Sequence, residues 1–240
     1  MARIAMALAL GAMLAGTAGA MADSPGYIDA KSAYDTGQYD AAVQKLQPLA
    51  EEGDTQAQFL LGLMHENGQG VAVDYAKAAD YYRKAADLGY APAEDRLGRL
   101  YREGWGVRRD YRQAVHWLEA SARTGDPGGE TDLGGMYAAG LGVPESYAEA
   151  IRWYRLAAGT GDGRAENDLG VMYEYGEGVG QDLRRAYMWC DLAAAALTGP
   201  DRRSAVNTRD QLGKMMNLAD AEKAQAMALQ CQASALKKCD

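Results

Sequence analysis

Two histidines and three cysteines are the residue types in this chain best suited to catalysis or metal binding. A metal site or histidine-based acid–base chemistry needs partner ligands at suitable spacing. No His-x-x-x-His, Cys-x-x-Cys or nucleophile motif is present. His65 falls on an apolar helical stripe and His116 precedes Trp117, so both read as structural. Gly68-Gln69-Gly70-Val71 could suggest a phosphate cradle, but it lacks a third glycine and follows a helical pattern, where a nucleotide loop follows a strand. Carboxylates number 33 against 25 Lys and Arg. Pairs among them arise by chance, and none stands out. The sequence therefore predicts no catalytic residue, no cofactor and no metal.

The cysteines carry a different chemistry. Cys190 lies on an apolar stripe and reads as a core residue. Cys231 and Cys239 would be about 12 Å apart on a continuous helix, too far to bond. A turn near Ser234 to Lys238 would bring them together. An oxidising compartment favours a Cys231–Cys239 staple; Cys190–Cys231 is the competing pair.

The elements that position these residues are copied. Leu61-Gly62 recurs as Leu97-Gly98, Leu133-Gly134 and Leu169-Gly170, a step of 36 residues. The same step carries Gly68-x-Gly70-Val71 onto Gly104-x-Gly106-Val107, Gly140-x-Gly142-Val143 and Gly176-x-Gly178-Val179. A fixed period of this length means one supersecondary unit, stacked. In one copy Ala57, Leu61, Met64 and His65 form a helical stripe. Gly68 ends that helix, and Asp74, Asp110 and Asp182 are N-caps for a second one. Ser146 with Glu149 reads as a capping box. Ala78, Tyr81, Tyr82 and Ala85 line the second helix, which Gly89 stops. Trp117, Trp153 and Trp189 fill the groove between hairpins. The unit is a helix hairpin that must stack to bury its apolar surface.

These residues resemble the Sel1-like repeat, a relative of the tetratricopeptide repeat. The family pattern is A-x-x-x-L-G-x-x-Y, then G-x-G-V, then D-x-x-x-A-x-x-W-Y-x-x-A-A-x-x-G. His65 replaces its tyrosine, Gly129 its first alanine, Ser146 its aspartate, and Cys190 stands where tyrosine is expected. The resemblance implies an all-α solenoid of stacked helix hairpins that binds protein or peptide and has no enzymatic activity. Some cysteine-rich members bind or hydrolyse β-lactams, so a cell-wall-related enzyme is the alternative, although this chain lacks their paired cysteines.

The expected organisation is a leader at 1–22, an N-terminal capping hairpin at 23–53, repeats at 54–89, 90–125, 126–161 and 162–199, and capping helices at 200–240. Met1-Ala2-Arg3 and the apolar run to Gly16 form a signal peptide cleaved after Ala22 or Ala20; an uncleaved anchor is the alternative. The mature chain is then periplasmic or secreted in a bacterium, monomeric, and without stable membrane insertion. A net charge of -8 argues against nucleic acid.

Specificity should lie where copies differ. In the parent family the first helices line the concave wall. Register places Phe59, Leu63, Glu66 and Asn67 there, then Asp95, Arg99, Arg102 and Glu103. Thr131, Gly135, Ala138 and Ala139 follow, then Asn167, Val171, Glu174 and Tyr175. Such a wall could read an extended peptide or be a solvated face. Between the loop glycines, Trp105 and Leu141 form a second candidate partner site on one edge, unless Trp105 folds over the next loop.

Overall fold

The computed structural model describes residues 24–236 and 239; the leader lies outside them. The described residues form twelve α-helices and no strand. α1 (Pro25–Asp35) and α2 (Tyr39–Glu51) make the first hairpin. Four further hairpins follow: α3 (Thr55–Asn67) with α4 (Tyr75–Ala86), and α5 (Ala91–Glu103) with α6 (Tyr111–Arg123). Then come α7 (Pro127–Ala139) with α8 (Tyr147–Ala158), and α9 (Gly163–Tyr175) with α10 (Leu183–Ala196). α11 (Gly199–Met215) and α12 (Leu218–Ala233) close the array. From α1 to α11 each helix packs on its neighbours in chain order, α5 also touches α7, and α12 packs back on α10. Among the described residues no helix is long and apolar enough to cross a membrane.

Repetition extends to individual hydrogen bonds. The N–H groups of Asp74, Asp110 and Ser146 each donate over 2.9 Å to a first-helix carbonyl, on His65, Tyr101 and Tyr137; Asp182 reaches Tyr173 over 3.0 Å. The same four residues cap the second helices with their side chains. Ser146 accordingly forms half of the expected capping box. Its Oγ accepts from the Glu149 N–H, but its own N–H is already used by Tyr137, and the Glu149 carboxylate pairs with Arg152.

The glycine of each Leu-Gly pair marks where two helices meet. A Cβ on Gly62 would lie 2.5 Å from Tyr82, and on Gly98, Gly134 or Gly170 it would lie 2.7 Å from Leu118, Tyr154 or Cys190. These knobs are buried. Gly129 has a similar reason: a Cβ there would meet the Ser121 Oγ at 2.4 Å. Ser121 occupies the register of Ala85 and Ala157, so the larger residue on α6 is matched by a smaller one on α7. In the loops, the second glycine rests on the preceding repeat. Gly106 has φ +67°, and a Cβ on it would lie 2.1 Å from the Tyr75 carbonyl carbon, so only glycine fits there.

At the C-terminus Ala235 and Leu236 take left-handed conformations after α12. That turn brings Cys231 and Cys239 into a disulfide with Cα atoms 4.7 Å apart. Cys190 is a free, buried thiol, pushed up to about 12 by burial.

Candidate functional site

α5, α7, α9 and α11 line a cavity of about 350 Å³. Its walls include Arg102 from α5, Asp132 from α7, Arg164, Asn167 and Asp168 from α9, and Asp201 and Ser204 from α11. Asp132 is the hub. Its Oδ1 accepts from Arg102 Nη1 at 3.1 Å and from Arg164 Nη1 at 3.2 Å, while Arg99 Nε stands 3.5 Å from Oδ2. The Asp132 side chain is only 7 % exposed. Burial opposes its charge, but Arg164, Arg102 and Arg99 together outweigh burial and hold the carboxyl below the ordinary range. Asp95 beside it moves the other way. Burial first, then the charge of Asp132, raise it to about 7, so a proton on Asp95 is favoured next to the Asp132 carboxylate. Asp168 is raised to about 6 by burial despite the opposing charge of Arg164.

The residues expected on the wall fall into three groups. Arg99, Arg102, Asp95 and Asn167 gather around this hub or its cavity. Asp95 departs from expectation: it is buried and does not present an open carboxylate to a partner. Gly128 explains how it gets so close, since a Cβ there would lie 3.2 Å from the Asp95 Oδ2. Thr131 is also spent inside, its hydroxyl donating to Asp162 at 3.1 Å.

The second group belongs to packing. The Phe59 ring lies 5.7 Å from Tyr82 and 5.3 Å from Tyr90. Leu63 packs against the cores on both sides of it. Glu66 accepts from the Tyr82 hydroxyl and pairs with Arg96 at 3.3 Å. The third group stands apart from the hub: Tyr175 is exposed, and the Glu174 carbonyl accepts from Gln181 at 2.8 Å.

Trp105 and Leu141 differ from each other. The Trp105 ring leans on Tyr75 with centroids 5.4 Å apart and remains 45 % exposed. Leu141 is half-buried against the core of Leu118, Leu133 and Met136 that repeats two and three share. His65 is buried and stacked on Tyr81, with desolvation holding its pKa down.

Asp132, Arg164 and Asp168 were not among the expected wall residues. One signal pointed to two of them: the position just before each Leu-Gly reads Leu60, Arg96, Asp132, Asp168, as variable and charged as its neighbours. Among the described residues no cluster of His, Cys, Asp and Glu is arranged to hold a metal ion.

The Sel1 repeat model matches four stretches, residues 55–90, 91–126, 128–162 and 163–196. Comparison with curated proteins gives no match. A Sel1 repeat protein from Oxalobacter formigenes is similar in structure, with 28 % identity and a TM-score of 0.70 over 85 % of this chain and 84 % of that one. So is c5321, a protective antigen present in uropathogenic Escherichia coli strains that displays an SLR fold, with 26 % identity and a TM-score of 0.63 over 84 % of this chain and 53 % of that one.

Proposed function

The chain belongs to the Sel1 repeat family, a class of scaffolds that generally mediate contacts between proteins, and from that premise we propose that it is an exported, non-enzymatic adaptor whose first-helix face captures a protein or peptide in the bacterial cell envelope. The observation that carries this reading is a surplus of donors at the cavity. Three guanidinium groups bring roughly fifteen N–H donors to the Asp132 carboxylate, which has about four acceptor sites; Glu103 takes one more from Arg102 at 2.8 Å, and Asp168 and Asp201 are the other carboxylates lining the cavity. Arg102 and Arg164 line the cavity as well as holding Asp132. A peptide carboxylate, a C-terminus or an acidic side chain, satisfies these donors with paired hydrogen bonds. Asn167 and Ser204 add polar groups for the backbone that enters with it.

Two features support the compartment. The first 22 residues read as a leader, and the Cys231–Cys239 disulfide suits an oxidising environment. The soluble, peptide-facing role also accords with the described helices, none of which can span a bilayer.

Fluorescence polarisation with labelled acidic peptides, each with a free or an amidated C-terminus, tests the reading. The free carboxylate should bind more tightly, and Arg164→Gln should weaken it about tenfold, equivalent to about 1.4 kcal/mol. Equal affinity for both peptide forms, together with no effect of Arg164→Gln, would refute the site.

A further inference from the structure

One register position of the repeat lies outside the cavity and is buried in every copy: Gln58, Glu94, Glu130 and Glu166, on α3, α5, α7 and α9. In the first copy its role is visible. Gln58 Nε2 donates to the Ala50 carbonyl at 2.9 Å, a buried bond that ties α3 to the end of α2. The 36-residue step carries Ala50 onto Ala86, Ala122 and Ala158. Those four carbonyls are equivalent: each accepts from the glycine three residues on, over 3.2 Å at Gly53, 2.8 Å at Gly89, 3.0 Å at Gly125 and 2.9 Å at Gly161.

An ionised glutamate has no proton to offer a carbonyl, whereas a protonated one has an O–H. Glu94 and Glu166 each hold a buried Oε2 for which the other groups present supply no hydrogen bond, as expected where the facing atom is itself an acceptor. We propose that Glu94, Glu130 and Glu166 are carboxylic acids that donate their O–H to the carbonyls of Ala86, Ala122 and Ala158, making each repeat junction a latch closed by a proton.

The surroundings favour the proton at all three sites. Burial raises Glu94, and Asp126 at the start of α7 adds to it, with Arg123 at the end of α6 pulling the other way. Burial raises Glu130, helped by Asp126 and by Asp162 at the start of α9. Burial and Asp162 bring Glu166 to about 8. Each pKa is thus higher in the folded chain than in the unfolded one. The stabilisation is complete below the ordinary glutamate range and is lost as pH rises through the folded value. For Glu166 the window runs from the ordinary 4.5 to about 8. Across it the Glu166 latch should cost the folding equilibrium about tenfold per pH unit.

Glutamine is the permanent form of the latch, as Gln58 already is. The full chain and its triple variant Glu94→Gln, Glu130→Gln, Glu166→Gln are to be melted from pH 5 to 8.5. Asp95 and Asp168 titrate in both proteins and drop out of the difference. The curves should coincide at pH 5 and diverge as pH rises, with the triple variant the more stable at pH 8.5; parallel curves would overturn the proposal. Glu166→Leu separates donation from burial, since leucine fills the space without a donor. It should melt below Glu166→Gln at pH 8.5, and equal melting would remove the donor role. If the triple variant does not fold, infrared spectroscopy of the unaltered protein decides: a protonated-carboxyl band at pH 7 that Glu166→Gln diminishes is expected, and its absence overturns the latch.

Discussion

Asp132→Asn isolates the hub because it keeps the side-chain volume and removes only the charge. The three guanidinium contacts lie at 3.1, 3.2 and 3.5 Å. At an effective dielectric of about 20, each contributes roughly 5 kcal/mol of attraction. Desolvating the carboxylate offsets most of that sum, and experience with broken buried pairs puts the net loss at about 3–5 kcal/mol. Asp95 then sets where in that range the variant falls. Its pKa is raised by burial and, next, by the charge of Asp132. With Asp132 neutral, Asp95 ionises next to Arg99 and takes over part of the counter-charge, so a loss of about 3 kcal/mol is expected at pH 7. Asp95→Asn should cost less than about 1 kcal/mol, because asparagine donates to Asp132 as the protonated acid does. The double variant has no rescuing carboxylate and should lose about 1–2 kcal/mol more than the sum of the two. Urea unfolding followed by helical circular dichroism measures all three. An Asp132→Asn variant within about 1 kcal/mol of the parent, or an Asp95→Asn variant equally damaged, would refute the hub.

Gly106→Ala should cost about 2–4 kcal/mol in the same assay, because it meets both a positive φ and the Tyr75 backbone. Gly180→Ala, with nothing within 4 Å of its Cβ, should change stability by less than about 0.5 kcal/mol. Trp105→Ala removes a ring leaning on Tyr75 but 45 % exposed; it should cost about 1 kcal/mol and weaken capture of a partner from the cell envelope. A loss above about 3 kcal/mol with unchanged capture would make Trp105 a packing residue alone.

Features tied to a local backbone requirement were legible in the sequence. The loop glycines, the aspartate caps and the Leu-Gly junctions each announce a conformation or a close approach that few other residues satisfy. The hub was not legible in this way. Asp132 meets Arg102 and Arg164 across 30 and 32 residues of sequence, and nothing local to any of the three names its partners. The stripe assigned to the wall was also one position too narrow, since Asp132 and Asp168, the residues before the third and fourth Leu-Gly, also line the cavity. Asp95 misled for the opposite reason: its carboxylate reads as surface, and the missing side chain of Gly128 on α7 leaves room for it inside. Glu94, Glu130 and Glu166 were not singled out in the sequence, because a carboxyl's burial depends on which helix stacks above it. The capping box at Ser146 failed on a competing bond, the Tyr137 carbonyl claiming the N–H that Glu149 would have taken.

The loop glycines have a consequence for how such a chain changes over generations. Gly70 sits on Tyr39, Gly106 on Tyr75, Gly142 on Tyr111 and Gly178 on Tyr147, so each unit finishes the one before it and presents the same unfinished edge to the one after. Copy number can therefore rise or fall by whole units without any joint being redrawn. The lineage carries a one-way grammar whose first word must be the α1–α2 hairpin, because only Tyr39 gives the first loop a place to land. Insertion between repeats two and four has a different outcome. It preserves every joint yet pulls Arg102 or Arg164 away from Asp132, so units are free to come and go where no contact skips a repeat, while the Asp132 contacts hold repeats two to four in their order.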